Sequence, residues 1–137
     1  MKGTFLEYFA GGGMARAGLG SDWECLFAND IDPKKAWAYE QNWGNQHLVI
    51  DDVWNVGSES LPPSADLAWA SFPCQDLSLA GSRNGLNAQR SGTFWGFISH
   101  IEGLKAQGKP VPLVVLENVS GTLTSHGGKD FKKISQA

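Results

Sequence analysis

The chain has 137 residues, a length that favours one domain with a hydrophobic core of its own. Its hydrophobic fraction of 42% and charged fraction of 18% exclude a disordered chain. The net charge of −3 does not favour general nucleic-acid binding, so a nucleic acid would need a local basic patch. There is no apolar run of about 18 residues and no signal-peptide core, so we expect a cytoplasmic protein without a membrane span.

The first half of the sequence alternates between strand and helix patterns. An aromatic-rich strand over residues 4–10 leads through three glycines into small residues that suit the start of a helix. A second strand is predicted over residues 24–30, and a helix from Pro33 to about Trp43 follows it, with proline at its first position. A short third strand is predicted over residues 47–50.

The second half continues the same alternation. It predicts a strand over residues 66–72, a long loop over 76–92, a helix over 93–108 and a strand over 112–119. The last strand is continuously apolar, as in a parallel sheet covered on both faces. A further helix is predicted from residue 127. Five strands alternating with helices predict a doubly wound, mainly parallel α/β sheet.

The glycine turn after the first strand is the first candidate binding element. Gly11, Gly12 and Gly13 allow a tight turn and a close approach to a ligand, and the following helix N-terminus favours an anionic group. The spacing differs from the dinucleotide pattern GxGxxG, because Arg16 stands where the third glycine belongs. An ordinary glycine-rich turn is the alternative.

Two aspartates follow neighbouring strands. Asp30 ends the second strand, where an acidic side chain commonly accepts hydrogen bonds from two ribose hydroxyls, and we expect no basic group beside it for a ribose phosphate. Asp52 follows the third strand and would face an adenine edge in the same crevice. Each could be a plain loop carboxylate, but together with the glycine turn they favour an adenosine-containing ligand.

Cys74 and Glu117 follow the fourth and fifth strands, so their side chains are expected across one pocket. Cys25 lies within the second strand and is expected in the core. Two cysteines and scattered histidines indicate neither a metal cluster nor a Cys–His hydrolase pair.

Six segments in this order resemble those of the DNA (cytosine-5)-methyltransferases: FAGGGMARAG, NDID, DV, FPCQ, SGTFW and ENV. The resemblance covers nearly the whole chain and implies one S-adenosylmethionine-binding catalytic domain over residues 1–137 with a Rossmann-like methyltransferase fold. Glu7 replaces a frequent aspartate, and Met14 stands where another glycine is common. The family's Gln-Arg-rich element, target-recognition region and final helix have no counterpart, so we expect a fold truncated at the C-terminus.

The resemblance also implies roles for individual residues. The implied nucleophile is Cys74, with Glu117 acting on cytosine N3 and Asn118 orienting it. The implied cofactor-binding residues are Phe9, Ala10, Gly11, Gly13, Met14, Asp30, Ile31, Asp52, Val53, Pro73 and Phe94. The residues expected to contact DNA are Gln75, Ser78, Ser82, Arg83 and Arg90.

The implied function is methyl transfer from S-adenosylmethionine to C5 of a flipped cytosine in DNA through a covalent cysteine adduct, in a restriction–modification or phage system. A C-terminal chain carrying the target-recognition region is an expected partner, and we expect the 137 residues alone to be inactive. The alternatives are a noncatalytic cofactor-binding fragment, one half of a split enzyme, and an RNA cytosine-5 methyltransferase. A nicotinamide dehydrogenase is disfavoured, because it leaves PCQ unexplained.

Overall fold

The computed structural model describes residues 2–71 and 93–117. Their strands are β1 (Gly3–Tyr8), β2 (Trp23–Asp30), β3 (Leu48–Ile50), β4 (Leu67–Ala70) and β5 (Leu113–Leu116). Their α-helices are α1 (Met14–Leu19), α2 (Pro33–Trp43) and α3 (Thr93–Ala106), and two short 3-10 helices cover Val53–Asn55 and Ser58–Ser60. No described helix has the length and hydropathy to cross a membrane.

The five strands form one sheet in the order β3-β2-β1-β4-β5, and every neighbouring pair is parallel. The chain first builds the sheet outward from β1 through β2 to β3, and then returns to the other side of β1 for β4. The strand order therefore reverses between β1 and β4, which is where open α/β sheets bind ligands. The predicted doubly wound parallel fold is confirmed.

The central strand β1 is buried on both faces. Leu6 and Tyr8 lie in one apolar cluster with Phe97 and Leu104 of α3, whereas Phe5 lies in a second cluster on the opposite face. All three β1 side chains are fully buried, so the core lies on both sides of the strand that leads into the glycine turn.

A buried polar connection crosses the core from β1 to α3. The Tyr8 hydroxyl lies 3.0 Å from His100 Nδ1, and His100 Nε2 lies 2.9 Å from the carbonyl oxygen of Val53. A carbonyl only accepts, so Nε2 carries the proton and Nδ1 accepts from Tyr8. Burial lowers the pKa of His100, which keeps the ring neutral in this arrangement. The 3-10 helix after β3 is thereby tied to β1.

The burial of β5 differs from the prediction of a strand covered on both faces. Leu113 and Val114 are 52% and 40% exposed, although they point to opposite faces of the sheet. Among the described strands, β5 pairs with β4 alone and ends the sheet on that side. Its apolar run therefore marks a sheet edge rather than a fully covered strand.

Glu7 is the buried acid of β1, with an exposed fraction of 1% and no hydrogen-bond partner for Oε1. Desolvation raises the pKa of its carboxyl to about 7, although the backbone amides of Arg16 and Ala15 and the Arg16 guanidinium favour the charged form. The backbone amides at the start of α1 thus face the carboxylate of Glu7, a buried side chain of the protein itself.

We expect Glu7→Gln to stabilise the protein at pH 8. The folded-state pKa of about 7 exceeds the ordinary value of 4.5, so the folded state holds the proton more tightly and loses stability as the pH rises through 7. A neutral amide avoids this loss, and the gain should be about 1–3 kcal/mol at pH 8 and shrink toward pH 4.5. Urea unfolding at both pH values measures it. The exposed Glu24→Gln is the control, and a gain independent of pH would contradict the expectation.

Candidate active site

The carboxyl ends of the central strands open onto a cleft of about 240 Å³. The cleft combines carboxylates, one lysine and a few apolar side chains, and its lining consists of Phe9, Asn29, Asp30, Ile31, Asp32, Lys35, Asp51, Asp52, Val53, Ser71 and Thr93. These residues end or directly follow β1, β2, β3 and β4, or lie in the first turn of the next helix. The cleft therefore lies at the reversal of strand order.

The glycine turn begins next to this cleft, because Phe9, which lines the cleft, lies between β1 and the glycines. Phe9 has a positive φ of 56°, and Gly11 and Gly13 have φ values of 55° and 86°. The Gly13 amide donates to the carbonyl of Ala10 at 2.8 Å, and the Ala10 amide donates to the carbonyl of Asn29 at 2.9 Å. These left-handed conformations bend the chain sharply into α1, and the turn is attached to the end of β2.

Asp30 has a structural task that the sequence did not predict. Its Oδ2 accepts from the Gly11 amide at 2.8 Å, and its Oδ1 accepts from the Asp32 amide at 2.9 Å. The side chain is only 6% exposed, yet it lines the cleft. Each carboxylate oxygen keeps further acceptor capacity, so the same group can organise the glycine turn and still bind a ligand hydroxyl.

Asp51 and Asp52 form the opposite wall of the cleft. Asp52 Oδ1 caps the following 3-10 helix by accepting from the Trp54 amide at 2.9 Å. The buried Asn29 amide group donates to the carbonyl of Asp51 at 2.9 Å, which joins the end of β2 to this wall. Val53 is 2% exposed and borders the cleft beside them.

Lys35 corrects the expectation that no basic group lies beside Asp30. It belongs to the first turn of α2, which begins immediately after Asp32 and so presents its side chain to the same cleft. The cleft therefore contains an ammonium group among its carboxylates, and this group can meet an anionic part of a ligand.

The predicted cofactor residues do not all line the cleft. Five described ones lie away from it: Ala10, Gly11, Gly13, Met14 and Phe94. Phe94 is fully buried and packs against Phe9 from behind, so Thr93 lines the cleft in its place. Ile31 lines the cleft and is 62% exposed, whereas Met14 is 80% exposed at the start of α1.

Glu117 follows β5 beside this cleft. Its amide continues the β4–β5 ladder by donating to the carbonyl of Ala70 at 2.9 Å. The Ser71 hydroxyl donates to Glu117 Oε1 at 2.7 Å, and the Trp69 indole donates to Ser71 Oγ at 3.0 Å. The sequence analysis did not identify Ser71, because no local signal pairs this serine with an acid 46 positions later in the chain.

The remaining predicted site residues lie outside the described residues: Pro73, Cys74, Gln75, Ser78, Ser82, Arg83, Arg90 and Asn118. Cys25 is described, and it is 2% exposed. Burial raises the pKa of its thiol, which disfavours the thiolate that a nucleophile needs. Cys25 is therefore a core residue, as the sequence predicted.

A model of the C-5 cytosine-specific DNA methylase family matches residues 3–137. The chain belongs to this family. It is 32% identical over 135 residues to the type II methyltransferase M.BsuFI of Bacillus subtilis, covering 98% of this chain and 31% of that protein. It is also 32% identical over 135 residues to M.HpaII of Haemophilus parainfluenzae, covering 97% and 36%. This methylase chain thus spans about a third of the length of these relatives.

Solved structures agree on the fold. The Dnmt2 methyltransferase of S. pombe superposes with a TM-score of 0.67 at 19% identity, covering 98% of this chain and 39% of that chain. A DNMT2 mutant of Spodoptera frugiperda gives 0.66 at 22% identity, covering 98% and 41%. At these identities the similarity shows a shared methyltransferase fold.

The methylase family and this fold imply S-adenosylmethionine as cofactor, and the cleft suits its adenosine part. Asp30 and Asp52 offer carboxylate oxygens that can accept hydrogen bonds from hydroxyl or amino groups. Ile31, Val53 and Phe9 offer apolar surface for the rings. Among residues 2–71 and 93–117, no three His, Cys, Asp or Glu side chains group to hold a metal ion.

We expect Gly13→Ala to destabilise the methylase more than Gly108→Ala. Both glycines have positive φ values, of 86° and 74°, and the hydrogen bonds at the end of α3 place Gly108 in the same left-handed region as Gly13, so both alanines carry a similar backbone cost. A Cβ at Gly13 would overlap the Trp43 indole, whereas a Cβ at Gly108 has open space. The additional loss should be about 1–3 kcal/mol, measured by urea unfolding. Equal losses would show that the turn has room to relax.

Proposed function

We propose that these residues form the cofactor-binding and catalytic domain of a DNA (cytosine-5)-methyltransferase of the restriction–modification type. The observation that carries the proposal is the carboxylate-lined cleft at the reversal of strand order, with Glu117 at the neighbouring strand end. Membership of the C-5 cytosine-specific DNA methylase family supports the reaction class. The names of the relatives, type II methyltransferases, support the biological setting.

The cleft would hold S-adenosylmethionine by its adenosine part. Asp30 would accept from the ribose hydroxyls, and Asp52 would accept from the adenine amino group. Ile31 and Val53 would contact the two faces of the adenine ring, since they follow neighbouring strands on the two walls of the cleft. The glycine turn would border the methionine part, and Phe94 would support it indirectly through Phe9.

Cys74 and Glu117 would carry the chemistry on cytosine. The Cys74 thiolate forms a bond to C6, while Glu117 donates a proton or hydrogen bond to N3 and Asn118 orients the acid. The electron pair displaced from C6 makes C5 nucleophilic. S-adenosylmethionine would supply the methyl group that C5 takes, with S-adenosylhomocysteine as the leaving group. Loss of the C5 proton to solvent, with return of the N3 proton to Glu117, would then break the C6–S bond and restore the Cys74 thiolate.

DNA binding needs more surface than this domain provides. Gln75, Ser78, Ser82, Arg83 and Arg90 would contact the substrate around the flipped base, but the chain as a whole carries a net charge of −3. The relatives are about three times as long as the matched region, which supports a further polypeptide segment as the DNA-recognition partner. We therefore expect cofactor binding, but no methyl transfer to DNA, from the 137 residues alone.

Calorimetry with S-adenosylhomocysteine tests the cofactor site. We expect wild type to bind, and Asp30→Asn to weaken binding about 5- to 100-fold, because an acceptor for the ribose and a partner for a backbone amide are lost together. The exposed Asp22→Asn is the matched control and should bind like wild type. A folded wild-type chain that does not bind would contradict the proposal.

Covalent trapping on 5-fluorocytosine tests the nucleophile in an enzyme completed with the C-terminal part. Cys74→Ala should abolish the trapped adduct, because no thiolate remains to attack C6, whereas Cys25→Ala should still trap. Parallel DNA and RNA substrates separate the two substrate classes, and trapping on RNA alone would favour the RNA methyltransferase alternative. Normal trapping by Cys74→Ala would refute the assignment.

A further inference from the structure

The glycine turn is held by a side chain that does not line the cleft. The Trp43 indole Nε1, at the end of α2, donates to the carbonyl of Gly12 at 3.1 Å, and Asn42 Nδ2 lies 3.4 Å from the same oxygen. The amide of that same peptide unit, Gly13 N–H, donates to the carbonyl of Ala10 at 2.8 Å. Both ends of the Gly12–Gly13 peptide are therefore fixed.

A second attachment comes from a different element. The Asp30 carboxylate, at the end of β2, accepts from the Gly11 amide at 2.8 Å. Glycine residues have no side chains of their own to pack and lose more conformational freedom on ordering than other residues do. The conformation of the turn thus depends on contacts from outside it, among them the hydrogen bonds of Asp30 and Trp43.

The indole of Trp43 is itself held in one orientation. The Arg16 guanidinium lies 4.9 Å from the centroid of its ring, and Arg16 Nη1 donates to the hydroxyl of the buried Tyr39 at 3.0 Å. The backbone of Gly13 lies against the indole so closely that a Cβ there would overlap it. Packing against Gly13 and stacking by Arg16 together aim the indole N–H at the Gly12 carbonyl.

We propose that Trp43 is a positioning residue for S-adenosylmethionine binding, because its indole N–H holds the Gly12–Gly13 peptide in the conformation that binds the cofactor. This inference rests on the proposed function, in which the glycine turn borders the cofactor. Trp43 acts through the turn, since it is half-buried on α2 and does not line the cleft. Asn42 adds a second, longer contact to the same oxygen.

The test is the substitution Trp43→Phe in the full 137-residue chain, which removes the N–H donor and keeps an aromatic ring. We expect the dissociation constant for S-adenosylhomocysteine to rise about 5- to 20-fold, with the circular dichroism spectrum unchanged. Amide exchange of Gly13, measured by NMR without ligand, should become faster. Trp37→Phe is the matched control, since Trp37 lies on the same helix and is 64% exposed, and it should change neither quantity.

Trp43→His separates the hydrogen bond from the shape of the ring. The histidine ring N–H can donate to the same carbonyl. We therefore expect the affinity of Trp43→His for S-adenosylhomocysteine to lie within about threefold of wild type and above that of Trp43→Phe. Equal losses in the two variants would overturn the proposal, as would unchanged Gly13 exchange in Trp43→Phe. If wild type did not bind S-adenosylhomocysteine, the proposed function would fail on its own, and the exchange measurement would still show whether Trp43 orders the turn.

Discussion

The hydrogen bonds of the Asp30 carboxylate are the interaction on which the site depends. One carboxylate joins the glycine turn after β1 to the start of α2, by accepting from the Gly11 and Asp32 amides. Hydrogen bonds to a charged acceptor are stronger than neutral ones, and these are largely shielded from water. The turn, the end of β2 and the helix that carries Lys35 therefore keep one relative arrangement around the cleft.

The opposite wall of the cleft depends on the core rather than on the turn. Tyr8 and His100 connect β1 and α3 to the carbonyl of Val53, so the segment beside Asp52 is anchored from beneath by a buried hydrogen-bonded pair. A buried polar group that loses its partner costs more free energy than the bond itself contributes. The wall that contains Asp30 is thus held mainly by backbone amides, whereas the wall that contains Asp52 is also held by side chains, those of Tyr8 and His100 in the core and that of Asn29 at the end of β2.

Local patterns predicted the fold well, because each relevant signal lies within a few residues. The helix from Pro33 to about Trp43 was predicted with proline at its first position, and α2 has these bounds. The contacts that complete the site escaped prediction, because they join residues far apart in sequence. Trp43 and Gly12 are 31 positions apart, and Ser71 and Glu117 are 46 apart. No periodicity identifies such pairs, and the place of Lys35 in the cleft likewise required the packing of α2.

The apolar flank of β5 has a consequence for the behaviour of the protein in solution. A strand that ends a sheet presents backbone donors and acceptors in a row, and here Leu113 and Val114 add exposed apolar surface on both faces. Proteins usually protect such edges with charges, proline or a covering segment, because they otherwise template pairing between molecules. Among the described strands β5 has no partner on its outer side, so what pairs with or covers that strand bears on the solubility of the domain at high concentration.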